Sequence, residues 1–107
     1  MPFEIVLAPQ AVQGLKALRA DYQAGVREAI ERYLRHEPTK LSKSRIKRLR
    51  GLERPQYKLR VDEVRVFYDV TETTVEVLAI IPKEEAQAWL ADKAVPAASG
   101  SPREGEG

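Results

Sequence analysis

The chain has 107 residues, a length that suits one domain with a modest hydrophobic core. Its net charge is only +2. It contains no cysteine and a single histidine, His36, so the sequence excludes disulfides, thiolate metal sites and histidine clusters, and predicts no metal or other cofactor. No run of about 18 or more apolar residues is present and the N-terminus lacks the features of a signal peptide, so we expect a cytoplasmic protein without a membrane span.

The first third of the chain predicts a short strand followed by a helical hairpin. Phe3, Ile5 and Leu7 alternate with Glu4 and Val6 to give a short strand, and Pro9 then suits the first turn of a helix. Gly14 indicates close packing of that helix, Asp21 is placed to cap a second helix, and Pro38 should end it. The apolar face of the hairpin recurs at steps of three and four residues: Ala11, Leu15, Leu18, Tyr22, Val26, Ala29, Ile30, Tyr33 and Leu34.

The middle of the chain is strongly basic. Residues 40–65 carry 10 basic and 3 acidic side chains, whereas residues 66–107 carry 3 basic and 8 acidic ones. We interpret residues 39–55 as a basic loop, with at most one helical turn, that Leu49 and Leu52 anchor to the core. Such a run is often only a solvated loop, but its charge indicates a polyanionic partner such as nucleic acid.

Residues 57–81 predict three strands joined by two tight turns, and the rest of the domain should be organised around them. Alternation in the runs 57–61 and 64–70 gives each strand one apolar face and one mixed face, with Phe67 on the mixed face of the second run. The run 75–81 is apolar on both faces, which favours a strand that is covered on both sides.

The hairpin between the first two of these strands predicts a basic face. If residues 62 and 63 form its loop, Arg60 lies directly opposite Arg65, with Lys58 on the same face. Like charges opposed across a ladder are destabilising, so a bound anion would best explain this arrangement. The alternative is a solvated basic face without a ligand.

The end of the chain predicts one more helix and a tail. Pro82 precedes a helix from Lys83 to about Lys93, and Trp89 should dock that helix on the sheet. We therefore predict an α+β domain over residues 1–94 in the order β-α-α-β-β-β-α, with a small antiparallel-rich sheet, a helical hairpin on one face and a short C-terminal helix. Residues 95–107 are small, polar and proline-rich, and we expect a disordered tail.

One motif in this order resembles a known family. The pattern L-x-G-L…Y-x-L-R-V-x-x-x-R-V-x-Y, from Leu49 to Tyr68, resembles the RelE/ParE superfamily of toxins from type II toxin–antitoxin systems, and the similarity covers roughly residues 3–92. RelE-like members cut mRNA in the ribosomal A site, whereas ParE-like members share the fold and poison DNA gyrase. A degenerate toxin or an RNA-binding module is a third possibility.

The RelE-like interpretation implies metal-independent cleavage, in which the 2′-hydroxyl attacks its own phosphate and cations stabilise the phosphorane. The resemblance implies that these catalytic positions are held by Lys58, Arg60, Arg65 and Lys83. It also implies that RNA is bound by Lys47, Arg48, Arg50 and Trp89. The implied partners are a cognate antitoxin, mRNA and the ribosome, and an acidic antitoxin segment on the basic face should release at high salt.

Two positions depart from the family pattern. Trp89 lies where many RelE-like toxins have a tyrosine, and an indole can stack on a base but cannot accept the 2′-hydroxyl proton. Another group, such as a lysine with a lowered pKa, must then act as base, or cleavage is slow. The usual glycine of the hairpin turn is replaced, and the carboxylates of Asp62 and Glu63 could instead engage Arg60 or Arg65.

Overall fold

The computed structural model describes residues 2–97 of the chain. Its helices and strands, in chain order, are β1 (Glu4–Leu7), α1 (Pro9–Ala17), α2 (Ala20–Ala29, continued by a π-helical segment, Ile30–Leu34), β2 (Ile46–Arg48), β3 (Leu52–Arg54), β4 (Tyr57–Val61), β5 (Val64–Val70), β6 (Thr74–Pro82), α3 (Lys83–Lys93) and β7 (Val95–Pro96). None of the helices in this part of the chain has the length and apolar character needed to span a bilayer.

Five strands form the main sheet, in the order β1-β6-β5-β4-β2. The pairing of β1 with β6 is parallel and the other three pairings are antiparallel, so the sheet is antiparallel-rich, as predicted. The strands β3 and β7 form a separate two-stranded sheet. The predicted α+β class and the three consecutive strands of residues 57–81 are confirmed.

The helical hairpin α1–α2 packs on one face of the sheet and forms the main core. Buried apolar residues from both layers make up this core: Ala11, Leu15, Val26, Ala29, Ile30, Leu34, Ile46, Leu59, Val61, Val64, Val66, Tyr68, Val75, Val77 and Ile80. At Gly14, α1 approaches β6 so closely that a Cβ atom would overlap the carbonyl oxygen of Ile80. The close packing predicted from Gly14 is therefore confirmed.

The opposite face of the sheet carries α3. Phe67 and Ala79 are fully buried there, and the ring of Trp89 stacks on that of Phe67 with a centroid distance of 4.9 Å and an interplanar angle of 15°. The prediction that Trp89 docks the last helix on the sheet is confirmed. Since all residues of α3 keep part of their surface exposed, this stack is a main attachment of the helix.

The segment 39–55 differs from the loop that the sequence predicted. It contains the strands β2 and β3. Its buried residues are Ile46, which is 3% exposed, and Pro55, whereas Leu49 and Leu52 are only partly buried. The prediction was wrong because each strand has only three residues, too few for an alternating pattern to be recognised. Their backbone groups pair with β4 and β7, which supply the stability that their sequence lacks.

Three smaller boundaries also differ from prediction. Asp21 does not cap α2, because Arg19 occupies the N-cap position and no side chain caps the helix there; the Asp21 carboxylate instead lies 2.7 Å from Nη2 of Arg19. The helical segment ends at Leu34, before Pro38. Val95–Pro96, which the sequence assigned to the tail, pairs with β3, and residues 98–107 of that tail lie outside the described residues.

Candidate functional site

Four cations share the face of the sheet that lies away from the helical hairpin. Arg60 on β4 pairs with Arg65 on β5, as predicted, and Lys58 on β4 pairs with Lys47 on β2. Directly paired residues point to the same face, and so do residues two apart on one strand. We call Lys47, Lys58, Arg60 and Arg65 the cation face.

The sequence builds this face by simple alternation. Leu59 and Val61 are buried against the helical hairpin at 0% and 7% exposure, which turns Lys58 and Arg60 to the opposite side. Arg60 is exposed, while Lys58 is partly buried next to its other cross-strand partner, Phe67. The face therefore combines an exposed guanidinium with a lysine that is partly withdrawn from water.

The pKa values of two of these groups respond to their surroundings. The pKa of Lys58 is lowered, first by burial and then by the charges of Arg65, Arg60 and Lys47. The pKa of Arg65 is also lowered, by burial and by Arg60, although Glu63 opposes this shift. These shifts agree with the closeness of the cations in the strand register, and they favour the neutral form of Lys58 more than water does for an exposed lysine.

The hairpin turn holds the guanidinium of Arg65 in place. Its Nη1 donates hydrogen bonds to the carbonyl oxygens of Asp62, at 2.9 Å, and Val64, at 3.0 Å. Asp62 adopts a left-handed conformation with φ of 52°, which aspartate tolerates better than most residues. The arginine is thus anchored through backbone oxygens, and no carboxylate of the turn lies within ion-pair distance of it.

Glu63 ties the same turn to the start of α3. Its backbone oxygen accepts a hydrogen bond from the Lys83 amide at 2.8 Å, and its Oε1 lies 3.2 Å from Nζ of Lys83. The expectation that the turn carboxylates engage Arg60 or Arg65 was wrong for Glu63, because Lys83 is the nearer cation. Lys83 is therefore paired with a carboxylate, whereas the four residues of the cation face have no such partner within residues 2–97.

Two of the residues predicted to bind RNA lie away from the cation face. Arg48 pairs in register with Tyr57, so it points to the other side of the sheet. Its guanidinium stands 5.1 Å from the Tyr57 ring centroid, and its Nη1 donates to the carbonyl oxygen of Gln56 at 2.7 Å. Arg50 is exposed in the turn between β2 and β3. Lys47 is the member of this predicted set that joins the cation face.

Trp89 borders the cation face through Phe67, which is the cross-strand partner of Lys58. One face of its indole is occupied by the Phe67 ring. Its Nε1 is buried and has no hydrogen-bond acceptor among the described residues. Any contact of this side chain with a ligand must use the ring edge or the face that Phe67 leaves free.

The tyrosines of the strands do not replace the tyrosine that the family pattern lacks here. Tyr57 and Tyr68 stack on each other at 5.4 Å on the side of the sheet that faces the helical hairpin. The Tyr68 hydroxyl donates to the carbonyl oxygen of Pro38 at 2.6 Å, and burial raises its pKa well above the usual value. Neither ring belongs to the cation face.

A polar network that the sequence analysis missed lies beside the cation face. Arg54 on β3 contacts both Asp69, at 3.2 Å, and Glu76, at 3.5 Å. Asp69 also accepts the backbone N–H of Gln56 at 2.8 Å, and burial is the main cause that raises its pKa. The only sequence signal was Asp69 itself, a carboxylate within an otherwise apolar strand. This network fixes β3 against the main sheet.

Metal binding has no obvious site here: within the described part of the chain, no group of three or more histidine, aspartate or glutamate side chains lies close enough together to hold an ion.

A family model matches residues 5–87 of the chain, and that family is described as the ParE toxin of type II toxin–antitoxin system, parDE. No curated protein sequence matches the chain.

Solved structures of toxin–antitoxin complexes contain chains with the same fold. The archaeal RelE–RelB complex from Pyrococcus horikoshii OT3 has a chain that is 23% identical, with a TM-score of 0.64, over 78% of this chain and 97% of that one. The RelBE2 complex from Mycobacterium tuberculosis gives 24% identity and a TM-score of 0.64, over 77% and 99%. The DinJ–YafQ complex from E. coli gives 12% identity and 0.62, over 81% and 97%.

These findings agree with the motif between Leu49 and Tyr68. The family model spans most of the chain, and the fold is similar to that of chains in the solved toxin–antitoxin complexes. The chain is a toxin of the ParE toxin family of type II toxin–antitoxin systems, within the RelE/ParE superfamily.

Proposed function

We propose that this toxin is an endoribonuclease that cuts mRNA on the ribosome, in the cytoplasm, and thereby inhibits translation. The observation that carries the proposal is the cation face, on which Lys47, Lys58, Arg60 and Arg65 stand together. Among the described residues, no carboxylate lies within ion-pair distance of these four side chains. An unneutralised cluster of this kind is suited to a phosphate that gains negative charge during reaction.

In this proposal Lys58, whose pKa is lowered, acts as the base in place of the family tyrosine. In the proposed reaction the neutral amine of Lys58 takes the proton of a ribose 2′-hydroxyl, and that oxygen attacks the adjacent phosphorus. The bond from phosphorus to the 5′-oxygen breaks, which leaves a 2′,3′-cyclic phosphate and a 5′-hydroxyl. The leaving oxygen takes its proton from the ammonium of Lys47, the cross-strand neighbour of Lys58.

Arg60 and Arg65 stabilise the phosphorane in this proposal. The planar guanidinium can donate two parallel hydrogen bonds to phosphate oxygens, which lysine cannot do. Arg65 is preorganised because the turn carbonyls already hold one of its nitrogens. Lys83 acts at most as a secondary contact, because a phosphate would have to displace Glu63 from it.

A second candidate function is the inhibition of DNA gyrase by binding, without nuclease chemistry. The observation in its favour is that the matching family model describes a ParE toxin. This function requires no catalytic base, so it does not depend on the family tyrosine that Trp89 replaces. It gives no reason, however, for a lysine of lowered pKa beside arginines that have no carboxylate partner in the described part of the chain.

We also propose that a cognate antitoxin neutralises this toxin, since the solved relatives are toxin–antitoxin complexes. An acidic segment of the antitoxin on the cation face would relieve the repulsion between Arg60 and Arg65. Such a contact should weaken as salt rises, because added ions screen charges at an interface.

The two candidate functions are separated by two parallel assays of the purified chain. In a translating extract, we expect protein synthesis to fall, and we expect Arg65→Ala to restore it. In a gyrase assay, we expect DNA supercoiling to be unchanged at the same toxin concentration. Inhibited supercoiling with intact translation would establish the ParE-like function instead.

A further inference from the structure

We propose a second RNA site, in which a cleft at the edge of the sheet binds an unpaired nucleotide of the RNA strand that is cut. This inference rests on the proposed action on RNA and adds to it a separate binding surface. The cleft has a volume of about 310 Å³, within the range of small-molecule sites. Its main lining residues are Tyr33, Leu41, Ser42, Ser44, Arg45 and Ile46.

The charge around this cleft favours a polyanion. The stretch of residues 40–50 contains six lysines or arginines and no acidic residue. It forms the edge strand β2 and its flanks. The cations therefore continue from the cation face, through Lys47, around the rim of the sheet to Arg45.

The edge of β2 is closed to a further strand at Ile46. Ser42 Oγ accepts the backbone N–H groups of Arg45 and Ile46, and the Ser42 N–H donates to the Ile46 carbonyl oxygen. Because these groups are already bonded, a peptide strand cannot pair with them by β-augmentation. The edge instead displays side chains, which suits recognition of a nucleotide.

The stacking surface of the site is the guanidinium of Arg45. This group lies 4.8 Å from the ring centroid of Tyr33, and the Arg45 side chain is exposed. The tyrosine contacts the cation, and in this proposal the exposed side of the guanidinium plane stacks on a nucleobase, as arginine planes do in single-stranded RNA complexes. The exposed Leu41, at 56%, offers an apolar surface in the same cleft.

The cleft is joined to the cation face through the backbone. The carbonyl oxygen of Arg45 accepts the N–H of Arg60 at 2.9 Å, so the stacking residue precedes β2 beside one of the phosphate-binding arginines. In this proposal one RNA strand passes around this edge of the sheet, with a phosphate on the cation face and a nearby base in the cleft. Ser42, Ser44 and Glu37 line the same cleft. The Ser42 oxygen already accepts two backbone N–H groups, so its hydroxyl can only donate to the base, whereas the Ser44 hydroxyl can donate or accept. The Glu37 carboxylate, which lies 3.8 Å from Nζ of Lys40, can accept.

The test compares the affinities of variants for a short single-stranded RNA whose 2′-hydroxyls are methylated, so that it cannot be cut. Fluorescence anisotropy gives Kd for the wild type, Arg45→Lys, Arg45→Ala and Arg27→Ala. Arg45→Lys keeps the charge and removes the planar stack, and we expect it to raise Kd about fivefold or more. Arg27→Ala removes one exposed arginine on α2 and should change Kd by less than about twofold. Thermal unfolding of each variant checks that it is folded.

The outcomes separate this inference from the proposed function. If Arg45→Lys binds as tightly as wild type, the stacking site is overturned, although the cation face can still cut RNA. If the wild type does not bind the oligonucleotide, the site is overturned and the translation assay alone decides the nuclease. If Arg45→Lys weakens RNA binding but the wild-type chain does not reduce protein synthesis in the extract, the RNA site is supported and the proposed nuclease is not.

Discussion

Lys58 and Phe67 are direct partners in the ladder between β4 and β5, and the ring of Phe67 stacks on Trp89 at 4.9 Å. The lysine therefore stands beside a fully buried aromatic side chain as well as beside other cations. Burial and like charge both disfavour the ammonium form, and both lower the pKa of Lys58. The packing that docks α3 thus contributes to the chemistry proposed for the cation face.

Lys58→Arg should abolish cleavage while RNA binding persists. A guanidinium keeps the positive charge but does not release a proton in the accessible pH range, so it cannot act as a base. We expect the single-turnover rate to fall about 100-fold or more, the usual contribution of a general base. For the wild type, the rate should rise with pH until Lys58 is neutral, and the lowered pKa places that rise below the range of an ordinary lysine. A Lys58→Arg variant with the wild-type rate and pH profile would remove Lys58 from the base role.

Lys58→Met should stabilise the folded chain at neutral pH. The folded-state pKa of Lys58 is lowered, so folding disfavours its charged form, and this penalty is present below that pKa and disappears as pH rises through the unfolded value. Removing the charge should raise the free energy of unfolding by about 0.5 kcal/mol, the scale of a cross-strand like-charge pair. Urea unfolding at neutral and alkaline pH measures the gain, which should shrink at high pH. Lys16→Met, at an exposed position of α1, is the control and should show no such gain.

Gly14→Ala and Gly25→Ala should have opposite effects, although both glycines lie in the helical hairpin. A Cβ on Gly14 would overlap the Ile80 carbonyl oxygen, so α1 must move away from β6, at a cost of about 2 kcal/mol. A Cβ on Gly25 meets nothing within 4 Å, and the higher helix propensity of alanine should stabilise by about 0.5 to 1 kcal/mol. Urea unfolding of the two variants measures both changes in the free energy of unfolding. Equal destabilisation by the two substitutions would contradict the close packing of α1 on β6 at Gly14.

Arg54→Gln should raise the pKa of Asp69 further. Burial already raises this pKa above the usual aspartate value, and the charge of Arg54 partly offsets the shift. The titration of the Asp69 carboxyl carbon by NMR should therefore have its midpoint above that of a free aspartate, and higher again in the variant. A midpoint that falls in Arg54→Gln would contradict the contact at 3.2 Å.

The sequence was sufficient to predict the hairpin and its basic face. Buried Leu59 and Val61 alternate with Lys58 and Arg60, and a two-residue loop then leaves one register in which Arg60 faces Arg65. The stack of the last helix on the sheet could also be anticipated, because Trp89 is the one large aromatic residue of that helix. These features follow from local patterns, which a single sequence contains.

Features that depend on pairing between distant short segments could not be predicted. Lys47 joins the cation face only because β2 pairs with β4, and Ile46 is the single buried residue of that strand. The pairing of Val95–Pro96 with β3 likewise has no local signal. The contact between Glu63 and Lys83 depends on where α3 begins relative to the turn, which no periodicity in the sequence specifies.

The most direct measurement for the proposed cation face is a map of mRNA 5′ ends in a translating extract, with and without the purified chain. We expect new ends within ribosome-occupied codons, each with a 5′-hydroxyl, and we expect them to vanish with Arg65→Ala and with Lys58→Arg. An unchanged map with the folded wild-type chain would contradict the nuclease and would leave the cation face as a surface for binding the antitoxin or another partner.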